Sequence, residues 1–463
     1  MHWFIFLKPY LCTTYCSRWS TVTKEGFNRY AMKAGFLQFK LNEKYIPYIS
    51  WFVVAVTLSM RIVHFPLSSA PFGDEGYYTM EVNYLSKYGT YLSLAQGNSF
   101  VNTILIYCFS KIFSLNFLIG SRVLSWIFFL VDGVLFLKCF ERFKGIGVRE
   151  RYFGLIFFAG ISSAWIGKGL PDLICFSLLL CCFYVLSLKT GYKQLLFSAV
   201  LVFLAFAVKP IAILAIPGVL VFVFFTNIKT AGVVSNSVKA TIFIAGFSAC
   251  FIVYEIPGYQ LNHRLMLEDK NHFYHGAVQV PSSNSWPERC TYFAAYNPNH
   301  RATEWQVTWE EVDSFKAQHP DINLKLGYVQ YARAYFSTWI SEIGNKIFLS
   351  LPAFTQDGFF FSRWTLINRF IKSYLVIRIL TLLLISSIYF FERRFIKDNL
   401  LLFAIPFLFA VCISVYIITP LQNNWLMYSL PFLALPVFRF LSRYVNTVIL
   451  FSLQFIYMLV YAL

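Results

Sequence analysis

Two adjacent carboxylates, Asp74 and Glu75, lie in the stretch Pro71-Phe-Gly-Asp-Glu-Gly-Tyr-Tyr78, soon after the first long apolar run of the chain. Charged side chains at a lipid–water boundary lose solvation unless they act as a base, a ligand or the partner of a cation. A carboxylate that reaches an acceptor hydroxyl can remove its proton as a general base. The alternative is a solvated loop in which Asp74 caps a helix that runs from Glu75 to Lys87.

Asp172 and Lys209 are two further charged residues that stand at the ends of apolar runs. Asp172 closes the sequence Gly-Lys-Gly-Leu-Pro-Asp, and Lys209 lies in Ala-Val-Lys-Pro-Ile-Ala. A charged side chain at the membrane interface is a candidate for a functional contact with a charged or hydrogen-bonding group. The alternatives are a helix N-cap after Pro171 for Asp172 and snorkelling to the membrane interface for Lys209.

The chain that carries these residues is too apolar to be a soluble protein. Of its 463 residues, 58% are apolar, 20% are aromatic and only 13% are charged. The mean hydropathy is +0.59, whereas a soluble protein carries about 25% charged residues. The composition therefore predicts an integral membrane protein whose surface faces lipid.

The apolar runs predict where the chain crosses the membrane, because a transmembrane helix needs about 20 mostly apolar residues. We expect an all-α polytopic membrane protein with about 11 transmembrane helices and an outer-face mixed loop domain. The predicted spans are 46–64, 118–138, 152–167, 172–188, 194–208, 210–226, 238–256, 374–391, 400–419, 425–440 and 446–462.

The distribution of charge predicts the orientation. Lys and Arg cluster between the spans on one side, which is the pattern of cytoplasmic loops. Residues 255–345 instead hold ten of the 22 acidic residues and seven of the 39 Lys and Arg, so their local net charge is −3. Membrane topology thus accounts for the overall net charge of +17, and no nucleic-acid partner is predicted.

The same topology divides the chain into regions and bears on its compartment. No Asn-x-Ser/Thr sequon with x other than Pro occurs, which favours a bacterial inner membrane over an endoplasmic reticulum lumen. The predicted regions are a cytoplasmic N-terminal lead (1–45), a catalytic transmembrane module (46–256) with a first outer loop (65–117), an outer-face loop domain (257–373) and the C-terminal transmembrane helices (374–463).

The order of these features resembles a family of membrane-embedded glycosyltransferases. The chain has a span, a short loop with Asp-Glu-x-x-Tyr, an amphipathic stretch and the sequence Leu-Asn-Phe-Leu-Ile-Gly-Ser-Arg-Val-Leu-Ser. This arrangement is similar to the GT-C fold, in particular to the branch of protein O-mannosyltransferases and the lipid A aminoarabinose transferase. The resemblance covers residues 45–225 well and the remainder only in architecture.

The resemblance implies a reaction and a role for each candidate residue. A sugar would pass, with inversion, from a polyprenyl-phosphate donor to a glycan, lipid or protein acceptor at the outer face. Asp74 would be the base, while Glu75 and Asp172 would orient the acceptor or the base. Lys209 would face the lipid phosphate, and Tyr78 would support the loop at the donor phosphate. Surrounding membrane lipids would be further partners.

Two departures from the family pattern affect the donor contacts and the acceptor class. Aminoarabinose transferases have Asp-Glu-x-Arg-Tyr, with the Arg contacting phosphate, whereas this chain has Tyr77 in place of that Arg. The His/Lys-Pro-Pro segment of many relatives is replaced by Gly97-Asn-Ser-Phe-Val-Asn102. Neither change removes the proposed base.

Three other charged residues have a structural interpretation beside a functional one. Asp132 lies inside the second predicted span, and an intramembrane carboxylate is a functional candidate by default. We favour a helix-packing or lipid-headgroup contact, because the residue lies toward the cytoplasmic half. Arg122 and Lys168 either add positive charge near the active face or snorkel to the interface.

No cofactor is predicted. A divalent metal would have to use His272 and His275 with the nearby His263 and Asp269. Their loose spacing in a polar loop segment argues against a metal site.

Two other function classes share parts of this pattern. A transporter or flippase of a lipid-linked glycan would also need many spans and a few buried charges, but neither internal repeats nor broken central helices are evident. A glycan polymerase or ligase would use catalytic Arg and His in a large outer loop, for which Arg264, His263, His272 and Arg289 are available.

Overall fold

The structure is a computed structural model of the full chain, and all of its described secondary structure is helical. The residues it describes are 43–64, 66–71, 75–95, 99–162, 165–188, 191–226, 228–263, 309–321, 375–416, 428–445, 449 and 452. Most of the predicted lead 1–45 and of the predicted span 446–462 therefore lies outside the described residues.

Helices lie at the predicted spans throughout the described part of the chain. The described α-helices in chain order are α1 (Ile46–His64), α2 (Glu75–Ala95), α3 (Phe100–Ile112), α4 (Phe117–Phe140), α5 (Val148–Ser162), α6 (Asp172–Leu188), α7 (Tyr192–Val208), α8 (Ile216–Phe225), α9 (Ile228–Asn262), α10 (Trp309–Gln318), α11 (Leu375–Phe391), α12 (Arg393–Asp398), α13 (Leu400–Tyr416), α14 (Leu430–Leu433) and α15 (Leu435–Tyr444).

The described helices confirm an all-α membrane protein. Three apolar helical segments are long enough to cross a membrane by themselves: Glu43–Val63, Phe117–Phe140 and Gly232–Leu261. Further apolar helices of 10–17 residues, among them α6 and α7, pack beside them. Among the described residues there is no strand.

Glycine and proline explain where helix bounds differ from the predicted spans. Helix α5 is described to Ser162, short of the predicted 167, and Gly167 (φ +81°) beyond it adopts a left-handed conformation that continues no right-handed helix. The span predicted at 425–440 is described from residue 428 onward as two short helices. Each has a proline in its first turn, a position where proline starts a helix but cannot extend a preceding one.

The first outer loop, predicted at 65–117, contains the two helices α2 and α3. Helix α3 begins where Glu81 of α2 accepts hydrogen bonds from Ser99 N (3.2 Å) and Thr103 Oγ1 (2.9 Å). Helix α4 begins at Asn116, whose side chain accepts from Ile119 N at 2.7 Å as an N-cap. Side chains thus satisfy backbone N–H groups at the starts of α3 and α4.

The loop domain predicted at 257–373 is described only at its start and in one short internal segment, residues 309–321. The end of α9 and the helix α10 belong to it. The remainder lies outside the described residues.

Aromatic packing joins the helices of the bundle. The ring of Phe136 lies 5.2 Å from Phe140, 4.8 Å from Phe158, 5.0 Å from Phe176 and 5.1 Å from Phe432, measured between centroids. These rings come from α4, α5, α6 and α14. Because lipid tails are as apolar as these side chains, close packing and not the exclusion of water is the main source of the free energy that holds these helices together.

A polar network lies at the C-terminal end of α4. Glu392, 3% exposed, forms ion pairs with Arg439 (3.0 Å) and Arg443 (2.7 Å). The Asn399 carboxamide accepts from Lys144 N (2.7 Å) and donates to Lys144 O (3.1 Å). These contacts fasten the C-terminal helices to the α4–α5 connection, on the side predicted to be cytoplasmic.

Candidate functional site

Glu75 and Arg122 form a buried ion pair at the end of α4 opposite that network. Arg122 Nη2 lies 2.7 Å from Glu75 Oε2, and Arg122 Nε donates to Glu75 Oε1 at 3.0 Å. Both side chains are 1% exposed. The contact is bidentate, which is the strongest arrangement of an Arg–carboxylate pair. It fixes the first residue of α2 against α4.

The same guanidinium also binds the connection between α1 and α2. Arg122 Nη1 donates to the carbonyl oxygens of Pro66 and Ser69, each at 3.0 Å, and Arg122 Nη2 donates to Ala70 O at 3.0 Å. Arg122 is therefore not a snorkelling side chain. It holds the segment that leads to Asp74, which itself lies outside the described residues, so its role as base stays a prediction.

A Gly-Lys-Gly turn closes over the Glu75 carboxylate from the other side. Gly169 N donates to Glu75 Oε1 at 2.7 Å. Gly167 has φ +81°, and a Cβ added to Gly169 would lie 2.0 Å from Ser121 Oγ. Both glycines are thus required by geometry, one by its backbone conformation and the other by its close approach to α4. Together they fix the position of Lys168.

Lys168 is a buried cation in this turn. Its side chain is 2% exposed, and its ammonium lies 5.0 Å from the centroid of the Trp165 ring. Burial, and secondly the charge of Arg61, lower its pKa from 10.5 to about 7, while Glu75 and Asp172 act in the opposite direction. Lys168 thus interacts electrostatically with both predicted carboxylates, and snorkelling does not describe it.

Asp172 and Lys209 form the second ion pair of the site. Lys209 Nζ lies 2.5 Å from Asp172 Oδ1, with the side chains 21% and 3% exposed respectively. Lys209 has extended backbone (φ −149°, ψ 117°), as expected for a residue before proline. Pro210 thus ends α7 at this point and presents the lysine to the first residue of α6. The Tyr428 hydroxyl donates to the carbonyl of Asp172 at 3.1 Å.

The site carries more positive than negative side chains among the described residues. Arg61, which the sequence analysis did not single out, is fully buried in α1 and within electrostatic range of Lys168. Its sequence position inside a predicted span could have indicated a functional role, because charged residues within membrane spans are usually functional. The described cations of this region are Arg61, Arg122, Lys168 and Lys209, and its described carboxylates are Glu75 and Asp172. Such a surplus favours an anionic ligand.

The predicted site residues thus fall into two linked pairs. Glu75 lies with Arg122, Asp172 lies with Lys209, and the charge of Lys168 couples the two carboxylates. Tyr78 is half-buried on α2, one turn after Glu75. We name the five residues Glu75, Arg122, Lys168, Asp172 and Lys209 the charged cluster.

Asp132 lies apart from the charged cluster. It is ten residues beyond Arg122 on α4, which is about 15 Å along the helix axis. Its carboxylate, fully buried, accepts a hydrogen bond from the Ser177 hydroxyl of α6. This contact supports the helix-packing interpretation.

The described part of the chain contains no group of three or more His, Cys, Asp or Glu that could hold a metal ion. His263 is described at the end of α9. Asp269, His272 and His275, the other residues of the weak metal candidate, lie outside the described residues, as do Arg264 and Arg289.

No family model and no curated protein matches this chain. Among solved structures it is similar to ArnT from Cupriavidus metallidurans bound to undecaprenyl phosphate, at 12% sequence identity and a TM-score of 0.35. The similarity covers 84% of this chain and 77% of that chain. A TM-score at this level does not establish a shared fold.

Proposed function

We propose that the protein is a glycosyltransferase that moves a sugar from a polyprenyl-phosphate carrier to an acceptor hydroxyl at the outer face of the membrane. The observation that carries the proposal is the charged cluster, a buried and mainly cationic site at one end of a transmembrane bundle. A buried surplus of positive charge costs solvation free energy unless an anion occupies the site. A lipid phosphate is an anion that reaches such a site from the membrane.

The proposed reaction is a single displacement. The acceptor oxygen forms a bond to the anomeric carbon of the sugar, and the bond from that carbon to the phosphate oxygen breaks. The electron pair of the broken bond leaves with the phosphate, whose charge the ammonium groups of Lys209 and Lys168 stabilise. The acceptor proton passes to a carboxylate, for which we propose Asp74.

The ion pairs supply the positioning that this reaction needs. The bidentate contact of Glu75 with Arg122 fixes the start of α2, directly after Asp74 in the chain. Asp172 holds the Lys209 ammonium at the edge of the site. Charges fixed in advance stabilise a transition state without a cost of reorganisation during the reaction. Glu75 and Asp172 are therefore proposed as positioning residues.

Binding of the donor phosphate tests this proposal. We expect Lys209→Ala to weaken binding of undecaprenyl phosphate to the purified full chain in phosphatidylcholine nanodiscs by about tenfold or more. Lys209→Arg should keep part of the affinity, because the charge survives. The matched control is Lys193→Ala, an exposed lysine at the opposite end of α7. Equal affinity of all three variants would contradict the phosphate role of Lys209.

A flippase of a lipid-linked glycan would bind the same phosphate, so a second measurement separates the two classes. A transferase releases free polyprenyl phosphate from the donor in the presence of acceptor. A flippase moves the intact donor across a sealed vesicle and releases nothing. Transbilayer movement without cleavage would overturn the proposal.

A further inference from the structure

A groove with a volume of about 590 Å³ opens beside the charged cluster, between α2 and the turn that joins α3 to α4. Thr79 and Asn83 line it from α2, Lys111 from the last turn of α3, and Ser114 and Asn116 from the turn that follows. The volume lies near the middle of the range of about 300–1,000 Å³ for ligand sites. The groove is therefore larger than a single sugar ring requires.

The groove begins one helical turn from the Glu75–Arg122 ion pair. Thr79 follows Glu75 by four residues on α2, and Leu118, which also lines the groove, precedes Arg122 by four residues on α4. Four residues span about 6 Å along a helix. Neither Asp172 nor Lys209 lines the groove. A ligand bound there would extend toward the start of α2 without occupying the proposed phosphate contact.

The chemistry of the lining suits a neutral ligand rich in hydroxyl groups. Asn83 and Ser114 are exposed, and their side chains make no hydrogen bond to the residues that the structure describes. Thr79 Oγ1 donates to Glu75 O at 2.8 Å, so its oxygen can still accept. Asn, Ser and Thr both donate and accept, which matches hydroxyls that do the same. The described lining holds no carboxylate, and its single cation is Lys111.

An aromatic ring borders the same groove. Phe117 lines it and packs against Tyr107, with 6.0 Å between the ring centroids. An aromatic side chain beside hydroxyl and amide groups offers both an apolar face and hydrogen bonds, as the two sides of a sugar ring require. A lipid tail would leave the polar groups unsatisfied, and a strongly anionic ligand would meet only one cation.

We propose that this groove binds the carbohydrate part of the acceptor, over more than one sugar residue. The inference rests on the proposed function, because it assigns an acceptor class to the same site. Its test needs no turnover, so it can fail independently of the transferase reaction.

The test measures the binding of neutral tetrasaccharides to the donor-free full chain in phosphatidylcholine nanodiscs. Saturation-transfer NMR detects the bound sugar. The probes are mannotetraose and chitotetraose, with a Ser/Thr-rich heptapeptide as the rival acceptor class. We expect at least one tetrasaccharide to bind and Asn83→Leu to weaken that binding about tenfold, the size of one hydrogen bond lost with its partner left unsatisfied. Ser86→Leu, exposed on the same helix but outside the groove, should bind like the wild type.

Three results would overturn the inference. One is that neither tetrasaccharide binds, and a second is binding that Asn83→Leu does not weaken. The third is displacement of the tetrasaccharide by a short-chain polyprenyl-phosphate sugar, which would assign the groove to the donor sugar. Lys209→Ala separates the two proposals, because we expect it to lose phosphate binding and keep tetrasaccharide binding.

Discussion

At the scale of single residues, Glu75 and Arg122 depend on each other. A buried ion pair is weak evidence for stability as a whole, but removing one partner leaves an uncompensated buried charge. Here the guanidinium also holds the backbone at Pro66, Ser69 and Ala70. The two residues therefore have a structural role beside any catalytic one, and variants of Glu75 need a stability measurement.

We predict that Glu75→Gln lowers the free energy of unfolding by about 3–5 kcal/mol. The reason is that Arg122 keeps its charge inside the protein without the carboxylate. Thermal unfolding of the detergent-solubilised protein measures the loss. Lys138→Gln is the control, because Lys138 pairs with Glu141 on the surface (3.3 Å, 53% and 40% exposed), where removal costs about 1 kcal/mol at most. Equal melting of the two variants would contradict the prediction.

From the lowered pKa of Lys168 we predict that both the stability of the protein and its affinity for phosphate depend on pH. Burial lowers its pKa in the folded protein from 10.5 to about 7, so above about pH 7 the unfolded chain binds more protons than the folded one. Stability should therefore rise with pH between about 7 and 10.5. Phosphate affinity should change in the opposite direction, because the ammonium loses its charge as the pH rises through about 7.

The measurement is the affinity for a polyprenyl-phosphate sugar between pH 6 and 9. A phosphodiester keeps one negative charge throughout this range. Any change of affinity with pH therefore comes from titration of a group on the protein. We expect Lys168→Arg to flatten the profile, because arginine stays protonated, and Lys168→Met to lower affinity and flatten it. An unchanged slope in Lys168→Met would show that another group titrates.

The sequence predicted the types of the site residues better than their partners. The resemblance of the sequence to membrane glycosyltransferases implies roles for Asp172 and Lys209, and the structure places these two side chains in contact. The partner of Glu75 is 47 positions away on another helix, and no local pattern shows such a contact. Arg61 was missed because it lies inside a span that its apolar neighbours already defined.

At the scale of elements, the turn 167–169 positions Lys168 and closes on Glu75. We predict that Gly169→Ala weakens donor binding and stability together, because its Cβ would lie 2.0 Å from Ser121 Oγ and 2.7 Å from Ser121 Cβ. Ser121→Gly should partly rescue the variant by removing those atoms. Both effects can be followed by thermal unfolding and phosphate binding.

Gly76→Ala is the matched control for this substitution. An added Cβ at Gly76 meets no atom of the described residues within 4 Å, and alanine favours a helix over glycine by about 1 kcal/mol. The control should therefore be neutral or slightly stabilising. If Gly169→Ala behaved like Gly76→Ala, the close approach of the turn to α4 would not matter.

Apolar length predicted the positions of the helices well, and their breaks less well. Helix α6 has the predicted bounds 172–188, because Pro171 and an uninterrupted apolar run define it. Helix α9 instead begins at Ile228 with a break at Gly232 (φ +76°) and continues through Pro257 to Asn262. The length of an apolar run does not indicate which glycines adopt a left-handed backbone conformation or which prolines a long helix tolerates.

At the scale of the whole molecule, α4 separates two polar ends. Its 24 residues extend about 36 Å, enough to cross a hydrocarbon core of about 30 Å. The charged cluster lies at its beginning, and the Glu392 network lies beyond its end. The distribution of basic residues predicts that the first is outside and the second cytoplasmic.

Cysteine labelling tests this orientation in sealed inverted and right-side-out vesicles. We expect Lys87→Cys and Gln318→Cys to react from the outer face only and Lys397→Cys from the cytoplasmic face only. These side chains are exposed, whereas Ser93, also in the first outer loop, is fully buried and would give a false negative. Cys108 is exposed and is first replaced by Ser. Labelling of Lys87→Cys from the cytoplasmic face would contradict the predicted orientation.

The most direct test of the central claim is turnover of a polyprenyl-phosphate-linked sugar by the purified chain in nanodiscs, with acceptors supplied as a cell-envelope extract. We expect the wild type to release undecaprenyl phosphate and Asp74→Asn to lose about 10²–10⁴-fold in rate, the size of general-base catalysis. Asp74→Asn should melt like the wild type, because Asn keeps the size and still caps a helix. A fully active Asp74→Asn protein, or a wild type that leaves the donor intact, would contradict the account.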